Sequence, residues 1–121
     1  MTAAAARETA GLAACRFTSD RPAIGDADYA VASGLFNVKL DTPDAEWQQY
    51  MLDTVADLSS YGRRGFGFNV LTAYSDADRR RPDLYYADPL ALFEHCRTSF
   101  SRRVALLHDY PLYEFTILVR L

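Results

Sequence analysis

The sequence predicts an α/β protein built on one sheet, in which the strands run parallel except for the last. Apolar runs and amphipathic segments follow one another as helix, strand, helix, strand, helix, strand and strand. Strands that alternate with helices form sheets with helices packed on them. The last two strands are joined by a tight connection, so they must pair antiparallel. The 121 residues suffice for one domain, which we expect to span residues 1–121.

The first third of the chain predicts a helix and two strands. Residues 2–14 are alanine-rich, which favours a helix, and residues 14–17 favour a short strand. Residues 18–22 are typical of a loop. Residues 29–33 form an apolar run without alternation that ends at Gly34. Such a run is typical of a strand covered on both faces.

Two further helices are predicted from their start signals. Thr42 as the N-cap and Pro43 at the first helical position begin one of them, and Gly62 ends it. Asp88 and Pro89 begin the other in the same way. Helical spacing predicts the apolar faces Trp47, Met51, Val55 and Leu58, and Leu92, Phe93, Cys96 and Phe100.

The remaining strands are predicted at residues 65–71, 103–108 and 113–119. Gly65 and Gly67 in the first of these permit close approach of a neighbouring backbone. Because helices separate the strands at 29–33, 65–71 and 103–108, we expect those three to be parallel and 113–119 to be antiparallel.

Composition excludes several classes of protein. Thirteen Lys and Arg stand against sixteen Asp and Glu, and the cations are dispersed, so we expect no nucleic-acid partner. No apolar run approaches the roughly 20 residues that span a bilayer, so we expect a soluble protein without a membrane partner. Two cysteines cannot form a disulfide framework, which favours a reducing compartment and therefore the cytoplasm.

Candidate chemistry lies where the predicted parallel strands end. Ligands of open α/β sheets bind outside the carboxyl ends of the strands. Three clusters of polar and aromatic residues occupy those positions, at residues 33–37, 72–76 and 108–110. Ordinary turn chemistry is the alternative explanation for each cluster, since Ser, Asn, Gly and Asp are common in turns.

Metal binding and cysteine catalysis are not supported by the spacing. His95 and Cys96 are adjacent, and adjacent helical residues point about 100° apart, so they are poorly placed to share an ion. We expect Cys96 in the core and His95 in solvent. His108 and Asp109 are better placed for proton transfer. Residues 79–81, three consecutive arginines, predict a solvated loop, with a site for an acidic ligand as the alternative.

Four segments resemble class I S-adenosylmethionine-dependent methyltransferases: residues 28–37 (DYAVASGLFN), 65–69 (GFGFN), 83–89 (DLYYADP) and 108–116 (HDYPLYEFT). The final antiparallel strand is a hallmark of that family's fold. The resemblance covers roughly residues 13–121 and implies a partial Rossmann-like methyltransferase sheet. The glycine-rich strand-turn that cradles the methionine part of the cofactor, and the acidic residue that holds its ribose, have no counterpart. The resemblance is therefore to the C-terminal portion of such an enzyme.

The resemblance also implies roles for individual residues. Ser33 and Gly34 would lie near the transferred methyl group of S-adenosylmethionine, and Asp20 would lie on the adenine side. His108 would accept a proton, since a histidine pKa of about 6.5 suits work near neutrality, or it would cap the hairpin and touch only backbone. His108 and Asn37 would together form the catalytic pair. The expected substrate-binding residues are Ser33, Phe36, Tyr74 and Tyr110, and we expect Ser33, Phe36, Asn37, His108 and Tyr110 to share one cleft.

The functional expectation is methyl transfer from S-adenosylmethionine to an unknown acceptor, with a small molecule as a possible acceptor. The alternative is a non-catalytic remnant that acts as an oligomerising or partner-binding module. In the family's sheet the first strand would pair with residues 29–33, and without it that strand keeps an unpaired edge. We therefore expect a homo-oligomer or a missing N-terminal segment, and weak or no binding of S-adenosylmethionine by the chain alone.

Overall fold

The sheet has four strands, and the strand that comes last in the chain lies inside it. The computed structural model describes residues 27–121. The strands β1 (Ala27–Ala32), β2 (Gly62–Leu71), β3 (Arg103–Leu107) and β4 (Glu114–Arg120) stand in the order β1-β2-β4-β3. β1 is parallel to β2, and β4 is antiparallel to both β2 and β3. The first three strands therefore point the same way and the last opposes them, as predicted.

Two helices connect the strands: α1 (Asp44–Tyr61) joins β1 to β2, and α2 (Pro89–Ser99) joins β2 to β3. The prediction of Thr42 as the N-cap of α1 is wrong. Pro43, with an extended ψ of 144°, is the N-cap, and its carbonyl accepts from the Trp47 N–H. The cap of α2 is confirmed, because the Asp88 carboxylate accepts from the N–H groups of Leu90 and Ala91.

Both helices pack on one face of the sheet and form the core with it. The predicted apolar face of α1 is confirmed, since Met51 and Val55 are buried and Trp47 and Leu58 pack against the core. That of α2 is confirmed at Leu92, Cys96 and Phe100, whereas Phe93 is not among the core residues of the described chain. Burying a side chain of this size stabilises a fold by roughly 1.5–3 kcal/mol. The sheet contributes alternate residues of β2 and β4 to this core: Phe66, Phe68, Val70, Phe115, Ile117 and Val119.

The opposite face of the sheet, here called the open face, carries no helix from residues 27–121. Tyr29 is 57% exposed, Val31 79% and Leu118 44%. The expectation that the first strand is covered on both faces is therefore wrong within this part of the chain. The open face holds a groove of about 560 Å³. The groove is deep at Gly67 because this residue has no side chain. A Cβ on Gly67 would lie 2.8 Å from Leu118 Cδ2.

Several predictions fall outside the described residues. They are the helix at residues 2–14, the strand at 14–17, the loop at 18–22 and the adenine-side role of Asp20. Within residues 27–121, β1 is an edge strand. Among the helices of that range, none has the length and apolar character needed to cross a membrane.

Candidate functional site

The ends of β1, β2 and β3 meet along one border of the sheet, here called the carboxyl edge. Since these three strands point the same way, the loops that follow Ala32, Leu71 and Leu107 all leave from this border. Hydrogen bonds join the loops, including one from the Thr72 N–H to the Tyr113 carbonyl at 3.0 Å. The three predicted clusters therefore lie at one edge, as the strand directions require.

Asn69 fixes the turn after β1. Its Oδ1 accepts the Gly34 N–H at 2.7 Å, and its Nδ2 donates to Ser33 Oγ at 3.0 Å. Gly34 has a φ of 70°, which favours glycine, and no atom lies within 4 Å of the place a Cβ would take. The turn thus presents bare backbone to open space. Asn69 was not among the predicted site residues, although its position two residues before the end of β2 was a usable signal.

Phe36 lies in the core rather than on an open wall. Its side chain is fully buried, with its ring edge-to-face against Phe68 at 5.9 Å and Tyr50 at 6.4 Å. Its carbonyl accepts from Trp47 Nε1 at 2.8 Å. Phe36 therefore anchors the loop after β1 to the helix-covered side of the sheet.

Asn37 carries an unsatisfied buried acceptor. Its backbone carbonyl accepts from the Tyr85 N–H at 2.9 Å, which ties this loop to the segment before α2. Its Oδ1 is buried and has no hydrogen-bond partner, the one such side-chain atom within residues 27–121. A buried acceptor left unpaired costs about 1–3 kcal/mol.

His108 is held by side chains of the β2 end. Its Nε2 is hydrogen-bonded to Thr72 Oγ1 at 2.8 Å, so the alternative that His108 touches only backbone is wrong. The ring stacks on Phe115, with centroids 6.0 Å apart, and Tyr74 lies 5.8 Å away. Tyr74 is 61% exposed. Thr72, which sequence analysis did not single out, is the buried partner that sets the histidine's orientation.

Tyr110 belongs to a second group on the open face. Its hydroxyl is hydrogen-bonded to Thr116 Oγ1 at 2.9 Å, and Thr116 is the cross-strand partner of Asn69. Asn69 in turn contacts Ser33. Leu106 packs against the core on the helix-covered face of the sheet. His108 lies on the same face, where its ring stacks on Phe115. Ser33, Gly34 and Tyr110 are thus linked through Asn69 and Thr116, whereas His108 and Tyr74 are linked to each other through a separate set of contacts. The expectation that Ser33, Phe36, Asn37, His108 and Tyr110 share one cleft is therefore wrong, since Phe36 is fully buried in the core.

Tyr113 and Asp76 close the carboxyl edge between the loops after β2 and β3. The Tyr113 hydroxyl donates to Asp76 Oδ2 at 2.7 Å. This hydrogen bond to the carboxylate raises the pKa of Tyr113 above its usual range. The bond restrains both loops that flank His108.

Cys96 and His95 show no arrangement for catalysis. Burial raises the pKa of the Cys96 thiol to about 11, which disfavours the thiolate that a nucleophile requires. Cys96 is fully buried, as predicted, whereas His95 is half-buried with its ring edge against Phe100 rather than in solvent. Across residues 27–121, no three His, Cys, Asp or Glu side chains are grouped so as to hold a metal ion.

Comparison with known proteins adds one informative relative. No family model matches the chain, and no solved structure matches it. A protein of Mycobacterium tuberculosis (strain ATCC 25618 / H37Rv) named "Putative methyltransferase Rv1506c" is 60% identical over 95 residues, which are 78% of this chain and 57% of the relative. The chain thus spans little more than half the length of that relative. Over this span it is similar to a protein named as a methyltransferase.

Proposed function

We propose that this chain carries the acceptor side of a methyltransferase that moves a methyl group from S-adenosylmethionine to an acceptor yet to be identified. The observation that carries the proposal is the 60% identity over 95 residues to a protein named as a methyltransferase. The sheet supports it, since the parallel pair β1-β2 and the antiparallel last strand agree with the directions that the class I resemblance implies.

The turn after β1 fits the methyl-bearing end of the donor. Gly34 leaves its backbone uncovered, so a ligand can approach more closely than any side chain would allow. Ser33 and Gly34 would hold that end, and Asp20 would lie on the adenine side. Bound S-adenosylmethionine supplies an electrophilic methyl group. Because the family's glycine-rich turn has no counterpart in the sequence, we expect the chain alone to bind the donor weakly.

His108 is the group best suited to take a proton from the acceptor. When its Nε2–H donates to Thr72 Oγ1, the lone pair of Nδ1 is left to accept a proton. The stacked Phe115 ring and the nearby Tyr74 ring restrict the plane of the imidazole. A base held in one orientation loses less entropy when it meets its substrate.

Asn37 is suited to orient the acceptor. Its Oδ1 lacks a donor among the described residues, and because that atom is buried, an N–H or O–H of the acceptor would reach it only after the side chain turns outward. The Tyr85 hydrogen bond fixes the backbone of the loop that carries Asn37. We therefore propose His108 as the proton acceptor and Asn37 as a group that orients the acceptor.

The second candidate function is a non-catalytic module for self-association. One observation favours it: Tyr29 and Val31, on the edge strand β1, expose apolar side chains on the open face. An exposed apolar edge strand is a template for pairing with another chain. This role and methyl transfer use different surfaces, and they can be tested separately.

The test is a titration of the ¹⁵N-labelled chain with S-adenosylhomocysteine, the demethylated product of the donor, followed by NMR. We expect saturable shifts of the Ser33 and Gly34 amides at millimolar ligand, and calorimetry without measurable heat below that range. Adenosine, which lacks the amino-acid part, serves as the control and should leave Gly34 unshifted. Saturable shifts confined to residues away from the carboxyl edge would contradict the proposal.

A further inference from the structure

We infer that a basic pocket beside the carboxyl edge binds a single oxyanion group, a carboxylate or a phosphate. Lys39, Arg80, Arg81 and Tyr86 supply the pocket's cations and its aromatic wall, and Asp44, which pairs with Lys39, lines it as well. The existence of the anion site is independent of the proposed function. Its assignment to the methyl acceptor, which makes that acceptor an anionic small molecule, rests on the proposed function.

The fold brings these residues together from distant parts of the sequence. The N–H groups of Lys39 and Leu40 both donate to the Asp83 carbonyl at 3.0 Å, and Val38 bridges to Leu84. Leu40 is held at a φ of 55°, a left-handed conformation that costs a residue with a Cβ roughly 1–2 kcal/mol. Such a conformation persists only where surrounding contacts enforce it. The loop after β1 is therefore firmly fixed against the segment before α2.

The charges of the pocket leave one cation without a counter-ion. Lys39 lies 3.5 Å from the Asp44 carboxylate, and the Arg81 guanidinium makes two hydrogen bonds to Asp83, at 3.1 and 2.9 Å. Arg80 has no carboxylate partner among the described residues. Its guanidinium instead lies 4.5 Å from the centre of the Tyr86 ring.

Arg80 is exposed, and its contacts favour one orientation of its guanidinium without fixing it. Its Nη1 donates to the Ala73 carbonyl at 3.5 Å, and the Tyr86 hydroxyl, at the other end of the supporting ring, accepts from the Arg81 N–H at 2.8 Å. A guanidinium stacked on an aromatic ring keeps its edge available for two parallel hydrogen bonds. Carboxylates and phosphates are the groups that match this edge.

The size and position of the pocket favour an anionic group of a larger molecule. Its volume is about 270 Å³, just below the range of about 300–1,000 Å³ that is typical of sites enclosing a whole drug-sized ligand. Tyr85, next to Tyr86, donates its N–H to the Asn37 carbonyl, and Arg80 contacts Ala73, next to Tyr74. Backbone contacts therefore join the walls of the pocket to the loops that carry Asn37 and Tyr74.

The three consecutive arginines contain their own control. Arg80 and Arg81 line the pocket, whereas Arg79 ends a short 3₁₀ helix (Ala77–Arg79) and does not line it. Arg79 and Arg80 carry the same charge in adjacent positions and are both exposed. A general electrostatic effect would involve both residues equally, and a built site would distinguish them.

The experiment is an NMR titration of the ¹⁵N-labelled chain with sodium phosphate and, separately, with sodium acetate, at constant ionic strength set with sodium chloride. We expect one of the two anions to give saturable shifts of the Lys39, Leu40 and Arg81 amides and of the Arg80 Nε–H. Arg80→Gln should weaken this binding about tenfold, because it removes charge-assisted hydrogen bonds. Arg79→Gln should leave the affinity within about twofold of the parent.

Three results would overturn the inference: no saturable shift with either anion, equal weakening by Arg79→Gln and Arg80→Gln, or shifts confined to another surface. The spectrum of Arg80→Gln reports whether the variant is folded, and Arg80→Lys, which keeps the charge and loses the stacked fork, provides a second variant with an expected intermediate affinity. The anion that binds more tightly identifies the acceptor's group. The proposed function is tested separately, by the shifts of the Ser33 and Gly34 amides with S-adenosylhomocysteine. Failure of the anion site and failure of the proposed function are therefore distinguishable.

Discussion

The backbone N–H of Gly34 donates to Oδ1 of Asn69 at 2.7 Å, across 35 positions of sequence. Nδ2 of the same Asn69 side chain donates to Ser33 Oγ, so this one side chain on β2 holds two successive residues after β1. The candidate site for the methyl donor, at Ser33 and Gly34, thus depends on a residue of the neighbouring strand β2. The geometry of this turn is not a local property of the loop.

Replacing Asn69 by Ala should therefore loosen that turn. Each lost hydrogen bond contributes about 0.5–1.5 kcal/mol, so we expect the free energy of unfolding in urea to fall by about 1–2 kcal/mol. The Gly34 shift with S-adenosylhomocysteine should disappear. Gln49→Ala, which removes an exposed amide hydrogen bond to Asp53 on α1, should preserve the shift. A normal shift in Asn69→Ala would show that the turn is held by other contacts.

In a reconstituted enzyme that carries the glycine-rich cofactor turn, His108→Gln should lower methyl transfer roughly 100-fold if His108 is a general base. The measurement is incorporation of tritium from labelled S-adenosylmethionine into an acceptor fraction. His95→Gln is the matched control, because it removes the second histidine of the chain at a position on α2. Activity of His108→Gln within about threefold of the parent would leave His108 with a structural role only.

Cys96 should resist thiol reagents in the folded protein. Since burial raises the pKa of its thiol to about 11, little thiolate exists at pH 8. In a Cys15→Ser background, we expect slow reaction with Ellman's reagent under native conditions and one equivalent reacting at once in denaturant. Below pH 9, the thiol's ordinary pKa, the thiol is protonated in both the folded and the unfolded chain, and its burial carries no ionisation cost. As the pH rises from 9 toward 11 the unfolded chain loses the proton first, so the free energy of unfolding falls. Rapid reaction at pH 8 without denaturant would contradict the buried placement.

Val31→Lys should convert a self-associated chain into a monomer. We propose that a second copy of this chain binds to the edge of β1 and the adjoining open face. Within residues 27–121, β1 has a neighbour on only one side, and the open face continues its apolar surface. Val31 is 79% exposed, so the substitution spares the described core. Light scattering at micromolar concentration should report the change, and Leu112→Lys, in the connection before β4, should not cause it. A monomeric parent protein would refute self-association.

The local elements of this fold could be predicted, because their causes are local. Apolar spacing identified both described helices, and the Asp88-Pro89 signal identified the start of α2 together with its capping hydrogen bonds. The start of α1 was misplaced because proline's fixed φ suits both the cap and the first helical position. Pro43 is the N-cap and not the first helical residue, because its ψ of 144° is extended rather than helical.

Relationships across the sheet could not be predicted in the same way. The position of β4 between β2 and β3 depends on which strand edges meet, and no residue of β4 encodes its neighbour. For the same reason the roles of Asn69 and Thr72 were missed, since each acts on a residue about 36 positions away. Phe36 was expected beside the substrate, but an aromatic residue after a strand can equally turn inward, and here it does.

The interior position of β4 constrains how this chain can reach its native state. Residues 114–120 come after the other three strands along the chain, yet they supply the hydrogen bonds that join β3 to the remainder of the sheet. During translation, β1 and β2 can pair while β3 has no partner strand to receive it. Deletion of β4 would thus disrupt the centre of the sheet, not its periphery. The helix-covered core contains Phe115, Ile117 and Val119 of β4, so it cannot close until β4 has been synthesised.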